Sequence, residues 1–297
     1  MKPIAFLTSA DLLPNHPKRS DDAWEFDAQF AALEKGCQEL DMQLLPVVWR
    51  SPDFQPEPFS AVFLGTAWDY ALAPEEFLET LARIHKVCPL LNPLDTVRWN
   101  LNKTYLRDLA KRGVSVVPTL WFEDSEQETC SGTFDALQCE TIVIKPQVGA
   151  NAWRQAKVQR GQAWPSDSER PIGACMVQPF LPAAMAEGEL SLIFFDRKFS
   201  HSVLKVAAPG EYRIQSTYGG REETYEVNAQ ELAFAQATVD AVEGPLLYAR
   251  VDMMRGANGD WLLMELELIE PFLFPNQGPD MGRSFAQALE KNLRPKA

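Results

Sequence analysis

The chain has 297 residues, of which 46% are hydrophobic and 23% are charged, a composition typical of a soluble globular protein. This length suffices for one large domain or for two to three small ones. The formal net charge of −13 argues against nucleic acid as a main partner, because phosphate binding needs clustered lysine and arginine. No apolar run reaches the roughly 18 residues that a membrane helix needs, so we expect no membrane partner.

The first residues form a short apolar run that Ser9, Asp11 and Pro14 interrupt. This pattern favours a first strand and its loop over a signal peptide, and we expect a cytoplasmic protein. The five cysteines are scattered without C-x-x-C spacing, so neither a zinc site nor a disulfide framework is indicated. The three histidines lie far apart in the sequence, which argues against a histidine metal site or a Ser-His-Asp triad.

Short strands alternate with helices over the first third of the chain. The predicted strands have the sequences PIAFLTS, MQLLPVVW and FSAVFLGT. The predicted helices have the sequences AWEFDAQFAALEKGCQEL and PEEFLETLARIHKV. The second helix carries Pro74 and two acids at its start, both typical of a helix N-terminus. Strands that alternate with helices indicate a parallel sheet with helices on its faces.

The rest of the chain begins with one long predicted helix, from Asp95 to Gly113. A strand, VSVVPTLWF, and an acidic loop over 123–133 follow it. The further predicted strands are TIVIKP, ACMVQPFLP and GELSLIFFDRKFSHSVLKV. The helix NAQELAFAQATVDAVE and the helix GRSFAQALEKNL flank a long predicted hairpin, LLYARVDMMRGANGDWLLMELELIE.

The predicted hairpin brings acidic residues together. Asn258-Gly259 is the strongest short hairpin signal in the chain, and we place both residues at the centre of a two-residue turn. In that register Arg250 lies opposite Glu267, and Asp252 lies opposite Glu265. Because side chains alternate between the faces of a strand, these four residues share one face.

The other face of this hairpin is predicted to pack inward through Met264, Leu266 and Leu268, and Glu270 falls there if the strand stays regular. On the charged face one arginine does not offset three carboxylates, whereas a divalent cation would. Ligands that are all oxygen favour Mg²⁺ or Mn²⁺, held jointly with substrate phosphates. The alternative is a solvated, charged outer face of a hairpin.

Two lysines are candidates for binding phosphate. Lys145 ends the strand TIVIKP and precedes QVGANA, a loop of small residues whose backbone N–H groups can close over phosphates. The P-loop pattern G-x-x-x-x-G-K-[ST] is absent from the sequence. Lys103 lies on the long predicted helix, where most lysines simply face solvent.

Seven segments follow one another in an informative order. They are the lysine-bearing helix, TIVIKP with its loop, MVQPFLP, GELSL, EYRIQSTYGG, ARVDMM and ELELIEP. This order resembles the ATP-grasp ligases of the glutathione-synthetase and ribosomal-S6-modification type. TAWDY and NPLDTVRWNLNKTYLRDLAKRGVSVVPT are more specifically similar to the branch that contains the cycloserine-pathway O-ureido-serine cyclo-ligase. The resemblance covers nearly the whole chain, most clearly from Asn92 to Pro271.

The resemblance implies an ATP-grasp fold of the α/β class whose C-terminal part is α+β. A small parallel-sheet domain is expected over residues 1–95, with the TAWDY loop facing a cleft. A central lid over 96–177 and an antiparallel-sheet part over 178–297 would hold ATP between two sheets. Closing the lid would exclude water from the reacting groups.

The resemblance also assigns site residues. The nucleotide contacts would be Lys103 and Lys145 at the phosphates, Gln178, Phe180 and Leu181 at the adenine, and Glu187 and Glu189 at the ribose. The metal ligands would be Asp252, Glu265 and Glu267, the last of which is asparagine in many relatives. The residues near the acyl-phosphate or the substrate carboxylate would be Arg213, Lys205 and Arg250.

The implied reaction joins a small-molecule carboxylate to an amine or a similar nucleophile, with ATP and Mg²⁺ or Mn²⁺. The carboxylate attacks the γ-phosphate, and the nucleophile then attacks the acyl-phosphate, between two molecules or within one. Candidate substrate contacts are Trp68, Asp69, Asp21, Asp22 and Tyr218, although such loop residues are more often solvated or packed. We expect a monomer or a homodimer that acts on an amino-acid-like substrate.

Two other functions compete with the ligase. The first is a catalytically inactive nucleotide-binding protein with a regulatory or scaffolding role. Arg213 argues against it, because nucleotide binding alone does not require an arginine at the acyl-phosphate. The second is a structural α/β protein with a solvated acidic face, which predicts no nucleotide affinity.

Overall fold

Three β-sheets organise the chain, and the computed structural model describes residues 2–150, 152–213 and 218–294. The strands of the first sheet are β1 (Ile4–Thr8), β2 (Leu44–Val48), β3 (Ala61–Thr66) and β4 (Leu90–Leu91). They pair in parallel in the order β2-β1-β3-β4. The predicted parallel sheet is therefore confirmed.

Helices α1 (Ala23–Gln38) and α2 (Pro74–His85) lie on opposite faces of this sheet. The alternation of side chains along β1 explains the arrangement, because Phe6 packs in one cluster and Leu7 in the other. Phe6 meets Phe26 of α1 edge-on, with ring centroids 5.9 Å apart. Burying a side chain of this size contributes about 1.5–3 kcal/mol to stability, so both faces of β1 anchor a helix.

The long helix predicted from Asp95 to Gly113 is wrong, because the structure has two helices, α3 (Leu94–Leu101) and α4 (Tyr105–Lys111). Asn102 between them is extended, and its side-chain oxygen accepts a hydrogen bond from the Thr104 N–H at 2.9 Å. An asparagine that satisfies the backbone locally competes with the helix. Lys103 consequently lies in the break rather than on a helix, and its N–H donates to the Gln147 carbonyl at 2.8 Å.

The second sheet is antiparallel and belongs to the middle of the chain. Its strands are β5 (Leu120–Phe122), β6 (Thr141–Pro146), β7 (Ala156–Gln159) and β8 (Cys175–Pro179), in the order β5-β8-β6-β7. The short helix α5 (Thr133–Ala136) precedes β6. The small core of this second sheet contains the buried side chains of Ile142, Ile144 and Val177. The domain boundary predicted between residues 177 and 178 falls inside β8, and the division into three parts stays a prediction.

The third sheet is also antiparallel. The short helix α6 (Ala183–Ala186) leads to its strands β9 (Glu189–Phe195), β10 (Lys198–Val206), β11 (Arg221–Thr224), β12 (Tyr248–Arg255) and β13 (Trp261–Glu267). Their order is β11-β10-β9-β12-β13. Helix α7 (Ala229–Asp240) covers one face and starts with a capping box in which Asn228 and Glu231 satisfy each other's backbone N–H groups.

The hairpin of β12 and β13 pairs Arg250 with Glu267 and Asp252 with Glu265, as predicted. The predicted two-residue turn is wrong. Gly256 N–H donates to the Asp260 carbonyl at 2.8 Å across a three-residue loop, in which Gly259 has a φ of +81°. A bulge after Asp252 then shifts the pairing back by one residue, which restores the predicted register at the acids.

Helix α8 (Met281–Leu293) returns to the first sheet and packs beside α1. The two backbones cross at Gly36 and Gly282, where a Cβ on Gly36 would lie 2.0 Å from the Gly282 carbonyl oxygen. Phe285 of α8 joins the cluster that contains Ile4 and Phe63. The core of the first sheet is therefore completed by residues from the other end of the chain. No helix among the described residues is long and apolar enough to span a bilayer.

Candidate active site

A cleft opens where the second and third sheets meet the N-terminal segment. The predicted site residues that line it are Trp68, Asp22, Lys103, Lys145, Gln178, Phe180, Leu181, Glu189, Lys205, Arg213, Arg250, Asp252, Glu265 and Glu267. Most of these residues come from the two antiparallel sheets and the segments beside them, whereas Asp22 and Trp68 belong to the part of the chain that forms the first sheet. The structure thus collects in one place residues that are far apart in the sequence.

Asp252 on β12 is the most tightly held acid of the cleft. Its carboxylate accepts hydrogen bonds from the Arg250 guanidinium, at 2.9 Å from Nη2, and from Ser191 Oγ at 2.5 Å. Lys205 Nζ lies 3.3 Å away and also pairs with Glu189. Burial opposes ionisation, but Arg250 and Lys205 outweigh it and lower the pKa of Asp252 to about 2.

Lys205 on β10 is held protonated by the same group. Burial alone would lower the pKa of this ammonium, but Asp252 and Glu189 outweigh burial and raise it. Glu189, which the resemblance places at the ribose, is therefore an ion-pair partner of Lys205 in this structure. The ion pairs among these three side chains connect β9, β10 and β12, in addition to the backbone hydrogen bonds of the sheet.

The two acids of β13 each contact one cation. Glu265 pairs with Lys103, whose Nζ also donates to the Gly149 carbonyl at 3.1 Å. Glu267 pairs with Arg250. Burial raises the pKa of Glu267 to about 7, because the nearby Glu265 adds to that effect while Arg250 only partly opposes it. Among the described residues no group of three His, Cys, Asp or Glu side chains is arranged to hold a metal ion.

Glu270 also faces this cleft, so its predicted placement on the opposite face is wrong. The cause is that β13 ends at Glu267 and the chain bends before Pro271, so strand alternation no longer applies. The bulge has a similar effect on Met264, which lines the cleft instead of pointing inward with Leu266. Burial, then repulsion from Glu267, raises the pKa of Glu270 well above its usual value.

Lys145 at the end of β6 has no ion-pair partner within the described residues. Its Nζ donates to the Met264 sulfur at 3.2 Å, and a thioether is a weak hydrogen-bond acceptor. Burial lowers the pKa of Lys145, and attraction by Glu265 offsets only part of that. An ammonium in such a position suits an anionic ligand.

The segment that follows β8 lies beside aromatic side chains of the cleft. Phe180 N–H donates to the Thr141 carbonyl at 2.8 Å, and the Phe180 ring lies edge-on to Tyr212 at 6.1 Å. Lys157 Nζ sits 4.9 Å from the Phe180 ring centroid. Gln178 donates to Thr119 Oγ1 at 3.0 Å, while its side-chain oxygen is buried without a hydrogen-bond partner in the described structure.

Arg213 lies at the edge of the cleft. Its guanidinium pairs with Glu211, at 2.7 Å between Nη2 and Oε2, and stacks on the Tyr218 ring at 3.7 Å. Its side chain is 31% exposed, so it is less enclosed than Arg250. Residues 214–217 of the predicted EYRIQSTYGG motif lie outside the described residues.

Four of the predicted site residues are not among the cleft-lining residues: Asp21, Asp69, Glu187 and Tyr218. Asp69 is occupied inside the first sheet, where Ser9 Oγ and Trp49 Nε1 each donate to its carboxylate at 2.6 Å. Glu187 is exposed and pairs with Arg255. Gly188, with a φ of +90°, separates the exposed Glu187 from the buried Glu189.

Sequence reasoning did not single out several residues that line the cleft. They are Glu25, Trp153, Tyr212, Glu222, Phe272 and Phe274. The signal that could have found Tyr212 is its position beside Arg213 in the predicted motif. Glu222 lies on β11, a strand too polar to recognise from alternation.

Comparisons with known proteins identify the family of the chain. Residues 4–92 match the family model described as D-cycloserine synthetase DcsG, N-terminal domain. The cycloserine biosynthesis protein DcsG of Streptomyces lavendulae is 30% identical over 310 residues, covering 98% of this chain and 99% of the relative. The chain belongs to the DcsG family of ATP-grasp ligases.

Solved structures support the family. The crystal structure of D-cycloserine synthetase DcsG superposes with a TM-score of 0.85 at 27% identity, covering 98% of this chain and 99% of that one. The ATP-grasp ligase PsnB, in complex with a precursor peptide and AMPPNP, has a TM-score of 0.64 at 16% identity, with coverages of 99% and 98%. The predicted ATP-grasp fold and the predicted ADP-forming ligase class are therefore confirmed.

Proposed function

We propose that this member of the DcsG family is an ATP- and Mg²⁺-dependent ligase that joins a carboxylate to an amine or similar nucleophile through an acyl-phosphate. The observation that carries the proposal is the cleft itself, in which Lys103, Lys145 and Arg250 face the acids of β12 and β13. Phosphoryl transfer depends on positioning and charge neutralisation more than on a protein nucleophile, and these residues supply both.

Two unsatisfied groups favour a nucleotide between the sheets. The side-chain oxygen of Gln178 is a buried acceptor without a partner in the described structure, which suits the amino group of an adenine. Lys145 is a half-buried ammonium without a carboxylate partner in the described part of the chain, which suits a phosphate. Lys103, bound to the loop carbonyl of Gly149, would lie beside the same phosphates.

The chemistry of the acids suits Mg²⁺, because carboxylate oxygens are the ligands that this ion prefers. Glu265 and Glu267 would be the first to exchange their lysine and arginine partners for a metal, since their side chains are 33% and 25% exposed. Asp252, at 3%, is held more firmly. A bound Mg²⁺ would neutralise charge on the transferring phosphate.

Different residues of the chain would act on different groups during the reaction. The substrate carboxylate attacks the γ-phosphate, giving ADP and an acyl-phosphate, and the nucleophile then displaces phosphate from the acyl carbon. Arg213 is the arginine best able to reach these groups, because its guanidinium pairs with Glu211 at the cleft edge and is partly exposed. Arg250 and Lys205 would hold the acids that surround the reaction.

The substrate is expected to be a small amino-acid-like molecule. Two of the matches are named for D-cycloserine, a small cyclic amide derivative, so ring closure within one molecule is the form of ligation to test first. Joining two molecules is the alternative, and ADP formation in the presence of one substrate or only of two would separate the cases.

The first experiment is thermal unfolding with and without Mg-ATP. A ligand at 100 times its dissociation constant should add about 2.7 kcal/mol of stability. We expect a shift that requires Mg²⁺ and that Glu265→Ala abolishes. Glu243→Ala is the matched control, because Glu243 is an exposed acid that pairs with Arg112 and does not line the cleft. A wild type without any shift would contradict the proposal.

Arg213→Ala separates a ligase from an inactive nucleotide-binding protein. We expect the variant to retain the Mg-ATP thermal shift and to lose at least about 100-fold in ADP formation, because the arginine would act on charge that develops during transfer. The readout is ADP release with the substrate identified by screening. Equal loss of ATP binding and turnover would remove the role assigned to Arg213.

A further inference from the structure

One buried carboxylate of the cleft has no partner within the described part of the chain. The side chain of Glu270 is buried, with 7% of the residue exposed, yet it accepts no hydrogen bond and forms no ion pair there. Its backbone carbonyl accepts a hydrogen bond from Trp68 Nε1 at 3.0 Å, which fixes the bend that carries it. Buried polar groups of native proteins are nearly always satisfied, so this carboxylate marks a place where a ligand can donate.

The neighbouring cations do not supply that partner. Lys103 and Arg250 are near enough to attract the Glu270 carboxylate, but Lys103 pairs with Glu265 and Arg250 with Asp252 and Glu267. The acids on β13 repel Glu270 at the same time. Glu270 is therefore left without a cationic partner among the described side chains.

We propose that Glu270 binds the ammonium group of the substrate and so selects an amine-bearing acid. This inference rests on the proposed ligase function, since it names the group by which the same cleft recognises its substrate. The carboxylate of such a substrate would lie toward Arg213 and Arg250, and its ammonium toward Glu270.

The surroundings of Glu270 favour an ammonium over a metal ion. Trp68 and Phe272 line the same end of the cleft, and aromatic faces attract organic cations. Phe272 is supported by Trp24, with ring centroids 6.0 Å apart.

The test is calorimetric titration of the full chain loaded with Mg-ADP. The probes are D- and L-serine, D- and L-alanine and D-cycloserine, each paired with its analogue without the amine: 3-hydroxypropionate, propionate and isoxazolidin-3-one. We expect at least one amine to bind at least 30-fold more tightly than its analogue. In Glu270→Gln, which has nearly the same shape, this preference should fall below 3-fold, while ADP affinity changes less than 2-fold.

Glu222→Gln is the matched control, because it removes a carboxylate of the same type from β11, a strand that also lines the cleft. It should keep the preference for the amine. Glu270→Asp keeps the charge and should keep part of the preference, and thermal unfolding of each variant without ligand verifies that it folds.

Several results would overturn the assignment. They are equal binding of an amine and its analogue, an unchanged preference in Glu270→Gln, binding of no probe by ADP-loaded protein, and a changed Mg²⁺ requirement in place of changed amine affinity. A wild type that does not bind ADP at all would instead refute the proposed ligase function. The two failures are therefore distinguishable.

Discussion

Two sets of buried charges line the same cleft and are satisfied in opposite ways. Asp252 is held by Arg250, Lys205 and Ser191, all within the third sheet. Lys145 and Glu270 have no ion-pair partner among the described residues, although both are mostly buried. The charges of the first set are paired with other side chains of the described chain. Those of the second set face the cleft without an ion-pair partner and can bind a ligand.

The difference separates structure from recognition. A buried charge that pairs within the chain fixes the relative positions of the strands that carry it. A buried charge without such a partner costs free energy of folding, and a ligand of opposite charge can recover that cost on binding. Substitutions in the first set should therefore change stability, and substitutions in the second should change affinity.

The largest effect is expected for Arg250→Met. Removing the guanidinium leaves Asp252 and Glu267 buried without it, and it also removes the donor to the Phe272 carbonyl at 3.1 Å. Breaking a buried ion pair from one side costs about 3–5 kcal/mol, measurable by urea unfolding. Arg255→Met, on the exposed end of the same strand, should cost about 1 kcal/mol or less. Equal losses in the two variants would contradict the structural role of the first set.

An intermediate effect, on affinity alone, is expected for Lys145→Met. The substitution removes a half-buried ammonium that donates its hydrogen bond to a thioether, so the free energy of unfolding should stay the same or rise. ADP affinity should fall at least 10-fold, which corresponds to about 1.4 kcal/mol. Lys111→Met, at an exposed lysine of α4, should change neither quantity. A large loss of stability in Lys145→Met would show that this lysine belongs with the first set.

The smallest effect is a pH dependence at His201, a titratable group that is buried and satisfied. Its Nε2 lies 2.8 Å from the Leu273 carbonyl, and burial lowers the pKa of this imidazole below its usual 6.5. Below pH 6.5 the unfolded state takes up a proton that the folded state resists, so stability falls as the pH falls through that value. Urea midpoints between pH 7.5 and pH 5 should therefore decline less steeply in His201→Gln than in wild type. A steeper decline in the variant would mean that the folded protein favours the protonated imidazole instead.

The alternation of apolar residues was sufficient to predict the first sheet and the strands that carry the paired acids. It also predicted Lys145 at a strand end, because Pro146 and the loop after it interrupt the pattern. The strands that escaped prediction, β4, β7 and β11, are all at sheet edges, where the alternation of apolar and polar residues is weak.

The errors at the site have a common cause, which is that tertiary contacts decide them. The pairing of Asp252 with Glu265 was predicted correctly because a longer loop and a bulge shift the register in opposite directions. The position of Glu270 depends on where β13 ends, and that of Lys103 on a helix break stabilised by Asn102 and by the Gln147 carbonyl. No periodic pattern in the sequence predicts these contacts.

The crossing of α1 and α8 at Gly36 and Gly282 has a consequence for biosynthesis. The first sheet emerges early from the ribosome, but one of its faces is completed only when Phe285 and its neighbours follow. At synthesis rates of about 5–20 residues per second, that face waits for roughly ten seconds or more with apolar side chains exposed. We therefore expect the nascent N-terminal region to be the part of the molecule most dependent on chaperones.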